Sequence, residues 1–402
     1  MSLTHPFLIR LIVALVAYVL FLPAIIGFKT LTHADILQQF NRPPTELPDL
    51  SQSLGNPPLA IQHAMRHLSE RVGGVAYMTE TLQKIRFNWF ADPGAPLIAR
   101  RGELVYLAAF DVTAPVMSNI GFSCRVGDEG QLPTWLDLLI ENTQVVTQHL
   151  APVVDKVGYL IVPSKPVLYH DQLPKGTPTS IREKCANAAT SGELEHWAAT
   201  VGQVDIPASY PLSLLTNNRD DPMYYPMGNF HAEGESAHDA ATQLLRKIYP
   251  EHRVWPDIES QVVERAADLE FILTFPRILQ FRVPNYGPHE TQISDILTKQ
   301  LRSQNAALKD VSIYTTNTPI IGGNALIIGN SFAKHTAPDV APYFDRTTLY
   351  DMSSSTDEEL SYVFSTLAPE ADVVLFIVQD TAAKYWLWQK ERDVLEAMVK
   401  PL

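Results

Sequence analysis

Two short segments hold side chains that chemistry could use. In Ala325-Leu-Ile-Ile-Gly-Asn-Ser-Phe332 an apolar strand runs into a glycine turn, and Ser331 then opens what reads as a helix. A serine nucleophile needs that placement, because a helix N-terminus offers backbone N–H groups without partners that can stabilise an oxyanion. The same position suits a plain helix-capping serine, so on chemistry alone both readings stand. A serine hydroxyl is a weak nucleophile unless a base activates it. Tyr224-Tyr-Pro-Met-Gly-Asn-Phe-His-Ala-Glu-Gly234 supplies a histidine, His231, on a segment too rich in glycine and proline for a helix interior. Asn229 lies two residues before it, and a helix begins near Glu235.

Together these segments resemble the periplasmic alginate O-acetyltransferase family, whose members are SGNH-hydrolase-like serine enzymes with a single anchor or signal. That family places a Y-x-x-x-D-x-H-W loop well upstream of a C-terminal strand that ends in G-D-S-F. Here Tyr225-Pro-Met-Gly-Asn-Phe-His-Ala and Gly329-Asn-Ser-Phe332 occupy those positions in the same order. The resemblance extends through the strand Ala371-Asp-Val-Val-Leu-Phe-Ile-Val378 and covers about half the chain. It implies that Ser331 carries the acetyl group, that His231 is its general base and that Asn229 stands where an aspartate orients the histidine. It also implies a polysaccharide as acceptor and a multi-pass membrane O-acyltransferase as acetyl supplier, with no cofactor.

The sequence departs from the family pattern at several points. Asn229 and Asn330 replace aspartates, Ala232 replaces a tryptophan, and Gln379 and Asp380 follow the last strand where an acidic residue and an arginine are usual. In serine-protease triads an aspartate-to-asparagine change of this kind costs about 10⁴ in turnover. One reading is a slower enzyme in which Asp220 or Asp221 reaches His231, or in which a Ser331–His231 dyad suffices. Another is a catalytically degenerate scaffold or glycan-binding subunit of a polysaccharide acetylation complex. His335, one helical turn after Ser331, is a further candidate base, and a plain carbohydrate esterase is a third reading of the activity.

Other residues carry weaker signals. His63 and His67 share a helix face at ligand spacing, but Ala-Met-Arg between them holds no glutamate, so they read as a surface pair and no metal is expected. Gly322-Gly323 reads as a turn, since no lysine follows to complete a phosphate cradle. Tyr385-Trp-Leu-Trp388 could line a sugar groove or belong to a core, and Arg100 and Arg101 could meet an anionic glycan or simply solvent. Cys124 and Cys185 are the only cysteines. In an exported body an even count suggests a disulfide, and two buried thiols are the alternative.

The elements that must position the serine are short β-rich runs at residues 311–315, 325–329, 347–350 and 372–378, separated by helical stretches. Such alternation implies a doubly wound parallel sheet, in which ligands collect beyond the carboxyl ends of the strands. Upstream, strands are expected at residues 104–110 and 158–163, helices at 134–153, 237–248, 257–273 and 290–308, and within 190–205 a helix around Leu194 and Trp197 followed by a strand near 201–206. No repeat at solenoid or propeller periods is present.

The chain has 402 residues, 46% hydrophobic and 19% charged, with thirty prolines, which excludes a disordered chain and a long coiled coil. Its net charge of −13 and lack of any lysine- or arginine-rich block argue against nucleic acid. Residues 11–28 run without a charge between Arg10 and Lys29, long enough to cross a bilayer held nearly upright. The expectation is an uncleaved N-terminal transmembrane anchor at 1–29; cleavage after Ala34 and a buried helix are the alternatives. A linker at 30–60, with its proline pairs, and an SGNH-like domain with insertions at 61–402 follow. The expected protein is thus an inner-membrane, single-pass exopolysaccharide O-acetyltransferase with its body in the periplasm.

Overall fold

The computed structural model describes residues 97–109, 117–124, 132–252, 258–271, 278–304, 308, 310 and 311–383. The chain divides into two compact units: residues Met1–Ile98 with Asp268–Ile278, and Ala99–Ala267 with Leu279–Leu402. Of the first unit, the described part includes one short 3-10 turn, Asp268–Phe271. The second unit is a mixed α/β body. The expected membrane segment at 11–28, the linker, the pair His63 and His67, and the aromatic run at 385–388 lie outside the described residues. Among the described residues no helix is long and apolar enough to cross a membrane.

The body is built on a seven-stranded sheet. Its strands are β1 (Lys156–Val162), β2 (Ala208–Ser209), β3 (Thr291–Ile293), β4 (Val311–Thr316), β5 (Asn324–Gly329), β6 (Arg346–Asp351) and β7 (Val373–Gln379). Their spatial order is β2-β1-β7-β5-β6-β4-β3. Strands β2, β1, β7, β5 and β6 run parallel, with Val373 opposite both Lys156 and Ala325. Strand β7 is buried along its whole length and β1 nearly so, which is why they read as unbroken apolar runs and not as alternating ones.

The sheet is not parallel throughout. Strand β4 runs antiparallel to β6, and β3 antiparallel to β4. The link from β4 to β5, residues 317–323, is too short for a parallel crossover, which takes a dozen or more residues, so β4 must run the other way.

The longer helices among the described residues are α1 (Leu132–Leu150), α2 (Thr179–Thr190), α3 (Glu193–Gly202), α4 (Glu235–Ile248), α5 (Asp295–Gln304) and α6 (Ser331–Val340). Helix α4 buries Ala237, Ala240, Ala241, Leu244, Leu245 and Ile248, the spacing of a single helix face, and packs on β1 and α6. Glu235 in its first turn and Arg246 and Lys247 in its last complement the helix dipole.

Three expectations are corrected. The described residues of 257–273 form no α-helix; the strand Ser260–Ala266 pairs instead with Ile278–Pro284 in a separate two-stranded sheet, and Asp268–Phe271 is a 3-10 turn. The β-branched pair Val262 and Val263 favours that extended form. Residues 201–206 are not a strand, because α3 continues to Gly202 and buries Val201, and the chain turns at Asp205 with φ 59°. The expected helix at 290–308 begins only at Asp295, after the edge strand β3, where Ser294 Oγ accepts the Leu297 N–H at 3.3 Å.

Cys124 and Cys185 form a disulfide, which joins the end of the helix Ser118–Ser123 to α2. With 61 residues of separation, the chain-entropy relation gives about 4 kcal/mol. A double Cys124→Ala, Cys185→Ala variant should therefore unfold at clearly lower urea concentration. A midpoint equal to that of the parent would contradict this.

Candidate active site

The carboxyl ends of β1, β7 and β5 lie side by side, since Gln379 faces Val162 and Ile377 faces Gly329. The residues just beyond them are polar: Ser164 and Lys165 after β1, Asp380 after β7, Asn330 and Ser331 after β5. Asp380 is buried, accepts the Ser164 N–H at 2.9 Å and the Thr381 N–H at 2.7 Å, and burial pushes its carboxyl up to about 6 against those hydrogen bonds. It ties the ends of two neighbouring strands together.

Gly329 makes the turn into α6. A Cβ there would lie 1.9 Å from the Ile377 carbonyl oxygen and 2.5 Å from Ala333 Cβ, so only glycine allows strand and helix to approach this closely. Asn330 caps α6: its Oδ1 accepts the Phe332 N–H at 3.1 Å and its carbonyl accepts the Ala333 N–H at 2.9 Å. Asn330 therefore has a structural task. The Ser331 N–H makes no hydrogen bond among the described residues, and it sits at the positive end of the helix dipole.

His231 comes to this serine from a loop that is held at several points. Tyr225 Oη donates to the Phe230 carbonyl at 3.2 Å, the Asn229 N–H to the Pro226 carbonyl at 2.9 Å, and the Val105 N–H to the Met227 carbonyl at 2.9 Å. The ammonium of Lys165, 1% exposed, donates to the carbonyls of Val105, Pro226 and Met227 at 3.2, 3.3 and 3.0 Å. His231 Nε2 and Ser331 Oγ are 2.9 Å apart. The imidazole meets Phe230 and Phe332 edge to face, with centroids 4.9 and 4.7 Å away, and lies flat on His335 at 4.0 Å and 12°. Rings on three sides hold it to one orientation.

The remaining sequence candidates have tasks of their own. Asn229 is fully buried and its Nδ2 donates to Glu233 Oε2 at 2.5 Å, while Glu233 Oε1 pairs with Arg265 at 2.7 Å. An aspartate at 229 would set two carboxylates against each other, so asparagine is the residue this contact requires. Asp221 pairs with Arg282 at 2.5 Å and accepts the Met223 N–H. His335 stacks on the candidate base. Gly322 and Gly323 form a turn at φ 98° and 77°. Arg101 donates to the carbonyls of Asp171 and Leu173, and Arg100 pairs with Glu103.

Lys165 was not legible as part of the site, because a lysine after a strand reads as solvated surface. As a positioning residue it has a measurable signature. Lys165→Met removes a donor shared by three carbonyls; those of Pro226 and Met227 keep their backbone donors, the Asn229 and Val105 N–H groups, but the loop loses its tie to the end of β1. The variant is expected to lower kcat for acetyl-ester hydrolysis at least tenfold with KM little changed. A fall in folded yield with unchanged kcat would assign Lys165 to stability alone.

Behind α6 lies a second polar group. Asp339 is buried, its Oδ1 accepts from Tyr286 Oη at 3.0 Å, and Tyr286 Oη also meets His238 Nδ1 at 2.9 Å. Burial pushes the Asp339 carboxyl up to about 8 and the His238 imidazole down to about 4, so both are uncharged near neutrality. Between its ordinary value of 3.8 and about 8, the unfolded chain releases the Asp339 proton while the folded chain keeps it. Stability therefore falls as pH rises through that window. Asp339→Asn should flatten the fall in melting temperature between pH 5 and 8; parallel slopes for variant and parent would contradict this.

The arrangement sets a hydroxyl against an imidazole nitrogen, beside an open helix N-terminal amide, at the mouth of a parallel sheet. Chemically it can pass a proton from the serine to the histidine and stabilise negative charge next to it.

No family model matches the chain, and no curated protein does. Solved structures that it resembles include PatB1 of Bacillus cereus with a sulfonyl adduct, at 14% identity and TM-score 0.43 over 63% of this chain and 92% of that one. They also include the O-acetyltransferase domain of Pseudomonas putida AlgJ, at 13% and 0.38 over 64% and 89%. Pseudomonas aeruginosa AlgX is similar at 10% and 0.36 over 63% and 60%. The structural neighbours thus include proteins of the kind that the motifs resemble, at TM-scores too low to decide fold or activity.

Proposed function

We propose that the protein is an O-acetyltransferase that moves acetyl through Ser331 to a sugar hydroxyl of a polysaccharide outside the cytoplasm. The 2.9 Å contact between His231 Nε2 and Ser331 Oγ carries this reading. His231 accepts the Oγ proton as Oγ bonds to the acetyl carbonyl carbon, and the imidazolium returns that proton to the departing group of the donor. In the second half the histidine takes the proton of a sugar hydroxyl as its oxygen attacks the acyl-serine carbonyl, and the imidazolium returns that proton to the departing Ser331 Oγ. The Ser331 N–H is one donor to the developing oxyanion. Neither half needs a cofactor. Residues 11–28 tether the body to the inner membrane on the periplasmic side, where a multi-pass O-acyltransferase supplies acetyl.

Labelling tests the nucleophile. Phenylmethylsulfonyl fluoride should add one sulfonyl group to the full chain, on the peptide holding Ser331, and none to Ser331→Ala. Label on another residue only, or no label on the parent, would remove the basis of the proposal. The second reading, a non-catalytic glycan-binding or scaffold subunit, is favoured by Asn229, whose amide serves Glu233. It requires a folded parent that neither labels nor turns over an acetyl ester.

A further inference from the structure

Next to the serine–histidine pair the second unit holds a cleft of about 420 Å³, within the roughly 300–1,000 Å³ usual for ligand sites. One wall is the outer face of α6, with His335, Pro338 and Asp339; the other is the segment from Val283 to Gly287 together with Glu290 and Thr291. His335 belongs to cleft and site at once, since its ring lines the cleft and lies 4.0 Å from the ring of His231. A molecule seated there would be one ring's thickness from the candidate base.

The charges of this lining are distinctive. Binding a carboxylate sugar takes an arginine or lysine whose charge is not already balanced by a neighbouring carboxylate. Arg265 is the one arginine or lysine of the lining; it is paired to Glu233 at 2.7 Å and lies over the Phe281 ring at 4.7 Å. Glu233 balances that single cation and Asp339 is uncharged near neutrality, so Glu290 is left as the unbalanced charge among the described residues of the lining. The lining also exposes the Gln261 and Asn285 amides and the Glu290 carboxylate, groups that pair with vicinal hydroxyls, although Asn285 Oδ1 already accepts the Gly287 N–H at 3.2 Å.

We propose that this cleft is the acceptor subsite and that it takes an uncharged, hydroxyl-rich glycan while turning away polyuronates, a proposal that rests on Ser331 being the acyl carrier. Asp339, uncharged near neutrality because burial pushes it up to about 8, adds no negative charge to the lining.

Calorimetric titration of the full-length Ser331→Ala chain at low salt, with cellohexaose and with a mannuronate hexamer, tests the claim apart from turnover. Cellohexaose should bind at least tenfold more tightly than the uronate. Glu290→Lys should narrow that preference at least tenfold, and Thr291→Trp, which fills the cleft, should weaken cellohexaose at least tenfold. Equal or tighter uronate binding, binding of neither hexamer, or indifference to Thr291→Trp would overturn the proposal. Sulfonyl labelling of the parent is scored separately. Label on Ser331 without cellohexaose binding overturns the cleft alone, and cellohexaose binding without label overturns its acceptor role together with the acyl-serine.

Discussion

Ser331→Ala is expected to lower acetyl-ester turnover by about 10³-fold or more, the scale on which serine enzymes lose activity with their nucleophile. The loss should come without unfolding. Among the described residues the Oγ atom makes one hydrogen bond, to His231, and a single such bond contributes about 1 kcal/mol to stability. Turnover measured beside a thermal melt separates the two effects. Retained turnover in a folded variant would mean that another residue does the chemistry, and His335 would be the next to test because it shares the ring stack.

Gly329→Ala is expected to be the most damaging single methyl addition in the sheet. The new Cβ would fall 1.9 Å from the Ile377 carbonyl oxygen, and Ile377 is on the buried central strand β7. Neither strand can yield without breaking ladder hydrogen bonds, so the cost should exceed about 3 kcal/mol, at the upper end for overpacked cores. Gly158→Ala is the control. Its Cβ would meet Ile248 Cδ1 at 2.4 Å, the far end of a flexible side chain that can rotate away, so a loss of about 1–2 kcal/mol is expected. Urea unfolding of both variants decides the matter: equal losses would mean that the β5-to-α6 turn has more room than the structure gives it.

The turn at Gly329 was legible in the sequence because three signals coincide over seven residues, an apolar run, a glycine and a serine suited to a helix start, although Asn330 and not Ser331 is the cap. The histidine loop was legible by its glycine and proline. That Ser331 and His231 meet was not, as 100 residues separate them and the fold alone joins them: Ser331 follows β5, while Lys165, after β1, holds the loop that carries His231. The resemblance to a known motif order supplied that expectation.

Asn229 shows where residue-level reading ran out. Its position in the motif suggested a weakened orienting group, whereas its amide answers to Glu233 and, through it, to Arg265. Neither partner is identifiable without the fold. Lys165 is the converse case: a charge in the sequence, it became a buried donor to three carbonyls of neighbouring segments. The antiparallel edge was hidden for a related reason, because strand direction depends on the length of the 317–323 link and not on the composition of β4. The strand at Ser260–Ala266 was obscured by apolar residues whose spacing fits a helix as well as it fits a strand with a partner from elsewhere in the chain.

Acetylation of the serine itself tests the central claim most directly. The full chain would be mixed with 4-nitrophenyl acetate, quenched in acid and read by intact mass and peptide mapping, beside Ser331→Ala and His231→Gln. One acetyl group on the peptide containing Ser331, absent in Ser331→Ala and formed far more slowly in His231→Gln, is the expected result. A folded parent that hydrolyses the ester with its acetyl group on a different residue, or that forms no adduct and shows no turnover, would contradict it.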